Sequence, residues 1–236
     1  MEFRILGPLE VAEDGDVLAL GRGRQRALLG LLLLHANEVV AQDRLVDDLW
    51  GESPPPTAFT ALHGYVSRLR KLLGADRVLT SPPGYMLRLD THELDLHRFE
   101  RLVERERYRE ALALWRGQPL ADLAFESFAR SEIDRLEESR LTALEGRVEQ
   151  DLAEGRHGEI VGELEALVDE HPLRERFAAQ LMLALYRSGR QAEALDVYRA
   201  ARSRLVEELG LEPSEILRRL ERQILDHDRT LDEPRA

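Results

Sequence analysis

The sequence predicts a mainly α protein with a small β component. A winged helix-turn-helix domain spans residues 1–94, an all-α domain of tetratricopeptide-like helical repeats spans 95–228, and 229–236 form a flexible tail. Three observations lead there. Strand and helix signals alternate over the first 95 residues and strand signals then vanish. One helix, Thr57 to Gly74, carries Arg68, Arg70 and Lys71 and no acid, in a chain of formal net charge -12. Gly155-Arg156 and Gly189-Arg190 each sit between helical stretches, 34 residues apart, which is the period of a tetratricopeptide helix pair.

The elements follow in order. Phe3 to Leu6 and Leu9 to Val11 read as strands broken by Gly7-Pro8. Asp14-Gly15-Asp16 is a turn and Val17 to Leu20 a third strand. Helix one, Gln25 to Ala36, is almost wholly apolar from Leu28 to Leu34 and belongs in the core, with Asn37 as its C-cap. Val39-Val40 is a short extended pair. Helix two, Asp43 to Trp50, places Leu45, Val46, Leu49 and Trp50 on one side and Asp47 and Asp48 on the other. Gly51 to Pro56 cannot be helical because of Pro54-Pro55-Pro56. The basic helix three follows, then strand Val78 to Thr80, turn Ser81-Pro82-Pro83-Gly84 and strand Tyr85 to Leu89. A sheet, three helices and a terminal hairpin make a winged helix.

Beyond Asp95, helical text is interrupted at Gly117-Gln118-Pro119, Gly155, His171-Pro172, Gly189, Gly210 and Pro213. A second echo pairs Glu110-Ala111-Leu112 and Trp115-Arg116 with Glu193-Ala194-Leu195 and Tyr198-Arg199. The alanines let paired helices approach while the aromatic fills the groove. Stacked helical hairpins form a binding scaffold.

Composition narrows the function. The chain has 236 residues and no cysteine, so disulfides, thiolate metal sites and thiol nucleophiles are excluded. No apolar run approaches the length of a membrane span and the N-terminus lacks a signal-peptide pattern, so the expected location is cytoplasmic, with no membrane partner. Residues 1–95 hold 10 basic and 14 acidic side chains, so the domain has no long-range basic footprint. Within 57–88, however, five basic residues face one acid. Lys71 is the only lysine, and this arginine bias suits a GC-rich genome.

On a helical wheel of helix three, Leu62, Val66, Leu69 and Leu73 form a core face flanked by Phe59 and Tyr65. Thr57, Thr60, Gly64, Ser67 and Lys71 lie opposite, bordered by His63, Arg68 and Arg70. A helix entering a major groove about 12 Å wide needs small residues where its backbone nears the bases. Arg68 is the candidate base contact; His63, Arg70 and Lys71 are candidate phosphate contacts. Thr60, Gly64 and Ser67 complete the reading face. On the hairpin, Arg88 is a candidate contact, and Tyr85 fits either a wing contact or the core. Arg22, Arg24 and Arg26 head helix one, where cations oppose the helix dipole. They touch phosphates or are simply solvated, and Arg24 is carried as the candidate.

These residues resemble a known family. Leu45-Val46, Leu49-Trp50-Gly51, Pro54-Pro55, Leu62, Tyr65 to Arg70, Leu73-Gly74 and Pro83-Gly84-Tyr85 are similar to the OmpR-type winged helix of the Streptomyces antibiotic regulatory proteins. Leu173-Arg174-Glu175, Leu185-Tyr186-Arg187, Gly189 to Leu195, Tyr198 and Glu207 to Gly210 with Glu212-Pro213 resemble the bacterial transcriptional activator domain that follows it. The resemblance implies a sequence-specific activator of a secondary-metabolite (antibiotic) gene cluster. It implies binding to direct repeats in double-stranded DNA, with two subunits arranged head to tail. It also implies recruitment of RNA polymerase, including its sigma factor, through the loop Trp50, Gly51, Glu52, Ser53, Pro54, Pro55 and Pro56. Two positions depart from the pattern. Ser81 stands where relatives often carry a wing arginine, and Ala41 stands at the usual serine cap of helix two.

The residues also leave a second reading, a protein-interaction adaptor working through its helical repeats, with the winged helix as scaffold. Bulk acidity favours it and the acid-free helix three opposes it. Catalysis finds no support. The seven histidines form no metal-spaced pair, no carboxylate pair stands out, and no cofactor or metal is expected.

Overall fold

The computed structural model describes residues 1–232. Its packing divides into two compact units, 1–143 and 144–236. The first unit opens with the antiparallel sheet β1 (Glu2–Arg4), β2 (Glu10–Glu13) and β3 (Asp16–Val17). Phe3 pairs with Val11, and Ala12 with Val17. The third strand is shorter than the expected Val17 to Leu20. Helix α1 (Arg24–Leu34) follows, then β4 (Val40–Ala41), α2 (Gln42–Trp50), α3 (Ala58–Leu73), β5 (Val78–Ser81) and β6 (Gly84–Leu87). The second sheet has the order β4-β6-β5, so the brief extended pair becomes the third strand of the wing sheet.

Packing explains these elements. Leu28 to Leu33 of α1 are buried on every side except at the ends. Leu45, Val46 and Leu49 of α2 and Leu62, Val66, Leu69 and Leu73 of α3 close on them as one cluster. Burying a leucine side chain contributes roughly 1.5–3 kcal/mol. Ala41 does occupy the N-cap of α2 in extended conformation, without a side-chain cap. That leaves α2 short of about 1 kcal/mol of capping. Asn37 is not the C-cap of α1; His35 is. Asn37 instead takes a left-handed conformation and exchanges side-chain hydrogen bonds with the backbone of Leu89.

The same cluster continues past residue 94 into α4 (Asp95–Glu104), α5 (Tyr108–Leu112) and the start of α6 (Ser127–Ala153), through Leu96, Phe99, Ala111, Leu120, Leu123, Ile133 and Leu136. Asp95 fastens this extension to the first sheet. Its carboxylate accepts from the backbone N–H of Ile5 (2.9 Å) and Leu6 (3.0 Å). Burial pushes its carboxyl above the ordinary aspartate range, against those amide bonds and the Arg116 charge.

In the second unit, α7 (His157–Glu170) packs on α8 (Glu175–Arg187), α8 on α9 (Gln191–Leu209), and α10 (Glu215–Leu225) on α8 and α9. The 34-residue echo is a repeated turn. Gly155 and Gly189 both have positive φ, and in both cases the next residue's N–H reaches the carbonyl five residues back, Arg156 to Asp151 and Arg190 to Leu185. This is the Schellman closure, and it favours glycine at the left-handed position. Ala194 and Tyr198 are buried as the second echo requires. Of the tail expected at 229–236, Arg229–Leu231 form a 3-10 turn with Leu231 buried, and 233–236 lie outside the described residues. Among the described residues, no helix is long and apolar enough to cross a membrane.

Candidate nucleic-acid interface

Helix α3 presents the face that its sequence spacing predicts. Thr60, His63, Ser67, Arg68 and Lys71 are exposed and Gly64 is half-buried among them, while the leucine face is closed. Phe59, on the flank, is 43% exposed. A Cβ at Gly64 would meet nothing nearer than the Arg68 Nη1 at 3.7 Å. No neighbour among the described residues therefore requires glycine there, although mid-helix glycine costs about 0.5–1 kcal/mol relative to alanine.

The candidate contacts have different supports. The Arg68 Nε donates to Gln25 Oε1 at 2.7 Å, and its guanidinium lies 4.9 Å from the Tyr65 ring centroid. Tyr65 stacks in turn on Trp50, with ring centroids 6.2 Å apart, and Arg24 lies 5.3 Å over the other aromatic, Trp50. Arg24 also donates from Nε to the Leu49 carbonyl. Two cations and two aromatic rings thus join the head of α1, the end of α2 and the solvent face of α3. Each exposed cation–π contact contributes about 0.5–1 kcal/mol.

Arg70 is tied down. Its Nε donates to the Val78 carbonyl (2.8 Å) and its Nη2 to Thr80 Oγ1 (2.7 Å), so it braces α3 against β5. Tyr85 resolves in favour of the core. It is buried beneath the wing, with Arg70 6.0 Å from its ring and His63 edge-on to it, and burial pushes its hydroxyl above the ordinary tyrosine range. His63 Nε2 lies 3.2 Å from Gln42 Oε1. Arg88 is exposed just beyond β6, and Pro82 and Pro83 are exposed at the wing tip. Gly51 to Pro56 are exposed throughout, with Trp50 half-buried at their base. Arg26, by contrast, pairs with Asp122 and the Leu9 carbonyl and serves the core of the unit.

The sequence reading missed Gln25 and Gln42, which hold Arg68 and His63. Both lie on other helices, and only the folded arrangement brings them to α3.

A winged-helix arrangement followed by helical hairpins agrees with the comparisons to known proteins. The family described as "Bacterial transcriptional activator domain" matches residues 94–225, and "Transcriptional regulatory protein, C terminal" matches residues 18–87. The regulatory protein DnrI of Streptomyces peucetius is 39% identical over 257 residues, covering 98% of this chain and 94% of DnrI. This chain belongs to the Streptomyces antibiotic regulatory proteins. The family is one of transcriptional regulators. The regulatory protein AfsR of Streptomyces coelicolor is 43% identical over 248 residues, covering 99% of this chain and 25% of AfsR. The chain therefore spans a quarter of that relative's length. The structure of Mycobacterium tuberculosis EmbR in complex with a low-affinity phosphopeptide superposes with a TM-score of 0.90 at 34% identity, covering 98% of this chain and 68% of that one.

Proposed function

We propose that this antibiotic regulatory protein is a sequence-specific DNA-binding transcriptional activator. Helix α3 enters the major groove. Arg68 contacts a base edge, and Lys71, Arg88 and Arg24 contact phosphates. Thr60, His63, Gly64 and Ser67 line the approach, while Arg70 and Tyr85 hold the wing against the helix. Two copies sit head to tail on direct repeats upstream of a secondary-metabolite promoter. The loop Trp50 to Pro56, exposed from Gly51 onward, meets RNA polymerase and its sigma factor, and the action is cytoplasmic.

The observation that carries this reading is the solvent face of α3, which is acid-free, cation-edged and relieved at Gly64 for no reason internal to the chain. The family membership supports it, since both matched domains are described by transcription. The test is a selection of bound sites from randomised duplex DNA, followed by competition gel shifts with the wild type and Arg68→Ala. The substitution should weaken specific binding by about 1–3 kcal/mol and relax one base-pair preference. Intact specificity in Arg68→Ala would show that another residue reads the groove.

A further inference from the structure

We infer that Gln25, at the head of α1, is a positioning residue that fixes the base preference of Arg68. The inference rests on the DNA-reading assignment of α3 and extends it to a second helix. Gln25 Oε1 takes the Arg68 Nε–H at 2.7 Å, and the Tyr65 ring supports the guanidinium from beneath. The Gln25 side chain lies over Gly21, where an added Cβ would come within 2.7 Å of its Cδ and Nε2, so the absence of a side chain there leaves it room. The guanidinium is therefore tethered along one edge and rests over an aromatic ring. Its two Nη groups have no hydrogen-bond partner among the described residues.

A guanine presents O6 and N7 as paired acceptors to an arginine fork. A free arginine must give up its rotamer freedom to make that pair. An arginine whose Nε is already tethered and whose guanidinium already rests on an aromatic ring gives up less, and only for a base in one register. Gln25 thus discriminates without touching DNA. It accepts a hydrogen bond from the Arg68 Nε–H and adds no charge, so it leaves the phosphate attraction unaltered.

The test uses the full chain and the consensus selected by the wild type. Preference at each base pair is measured for Arg68→Ala, Gln25→Leu and Gln25→Glu, with the salt dependence of binding and the Tm of each variant. Gln25→Leu should lower preference about tenfold at the base pair where Arg68→Ala lowers it most, with the salt slope unchanged. Gln25→Glu should restore the preference, because a carboxylate oxygen accepts the same bond, while weakening all DNA by its added charge. A loss in Gln25→Leu spread evenly over all sequences overturns the inference in favour of a phosphate contact. A lowered Tm with preference intact overturns it in favour of a purely structural role. A wild type that selects no consensus overturns the DNA-reading assignment itself, a result distinct from either.

Discussion

Gly84 and Val40 meet where no side chain fits: a Cβ on Gly84 would lie 1.7 Å from the Val40 carbonyl oxygen. This contact seats β4 against β6, and the wing hangs from it because β6 is the central strand. Gly84→Ala must push β4 away and break the Ala41–Gly84 pairing. Forced overpacking of this kind costs about 1–3 kcal/mol or more. Urea unfolding should show a lower midpoint, and an unmoved midpoint would mean that the strands separate freely.

Gly64 makes the opposite prediction. Its Cβ position is open apart from the movable Arg68 side chain. Gly64→Ala should stabilise the fold by about 0.5–1 kcal/mol, because alanine loses less conformational freedom in a helix. The same methyl group would stand between the helix backbone and the bases. DNA affinity should fall while stability rises, and a variant that is both more stable and equally tight would remove the steric argument for the reading face.

Lys71 is exposed and stands one turn beyond Ser67 on the reading face. In the proposed complex Lys71 would meet phosphate, a contact that carries no base information. Lys71→Ala should weaken specific and non-specific duplexes alike and flatten the slope of log K against log salt by about 0.9. Titrations at several salt concentrations check this, and an unchanged slope would place the ammonium away from the backbone.

Glu93 sets an acid limit. Arg77 grips its carboxylate through two hydrogen bonds of 2.8 Å, and the Asp90 N–H adds a third at 2.9 Å. The Arg77 hydrogen bond chiefly holds the Glu93 carboxyl below the ordinary glutamate range, with burial opposing it. A lowered folded value means that the stabilisation is fully present above the unfolded pKa, about 4.3, and is lost as pH falls through the folded one. Glu93→Gln should therefore be less stable than the wild type by about 1–2 kcal/mol at neutral pH, and the gap should close in acid. Unfolding curves between pH 7 and the acid transition measure it. A gap that stays constant with pH would assign the loss to packing instead.

The winged helix and the leucine face of α3 were legible because apolar spacing states helical faces directly. Two of the helix-ending turns were legible because Gly155 and Gly189 mark them. The same Schellman bonds close α4 at Glu106 and α10 at His227, both left-handed without glycine, so nothing in the residue types announced them. The partners of Arg68 and His63 were hidden for a related reason. Gln25 and Gln42 are ordinary polar residues, 43 and 21 positions away, and a glutamine has no periodicity that points to its partner. Arg70 read as a phosphate contact because its charge was visible in the sequence and its bonds to β5 were not. The core of the first unit likewise runs past residue 94, since burial follows space rather than the change from strand to helix signals.

Asp151 of α6 is fully buried and lies at the centre of an arginine network in the second unit. The Arg147 Nη1 reaches it at 2.9 Å and Arg156 also pairs with it, while the other arm of Arg147 bonds Glu163 at 2.6 Å. The two acids share one arginine and differ in exposure, since the Glu163 side chain is 46% exposed and that of Asp151 is 0%. Removing a partner from a buried pair leaves the other charge uncompensated and costs about 3–5 kcal/mol, whereas an exposed pair contributes about 0–1 kcal/mol. Asp151→Ala should therefore lower the urea midpoint severely or prevent folding of the helical repeats. Glu163→Gln should leave the unfolding free energy within about 1 kcal/mol of the wild type. The network is open to water at Glu163, whereas the Asp151 side chain has no exposed surface. Comparable losses in the two variants would mean that water enters the network from both ends.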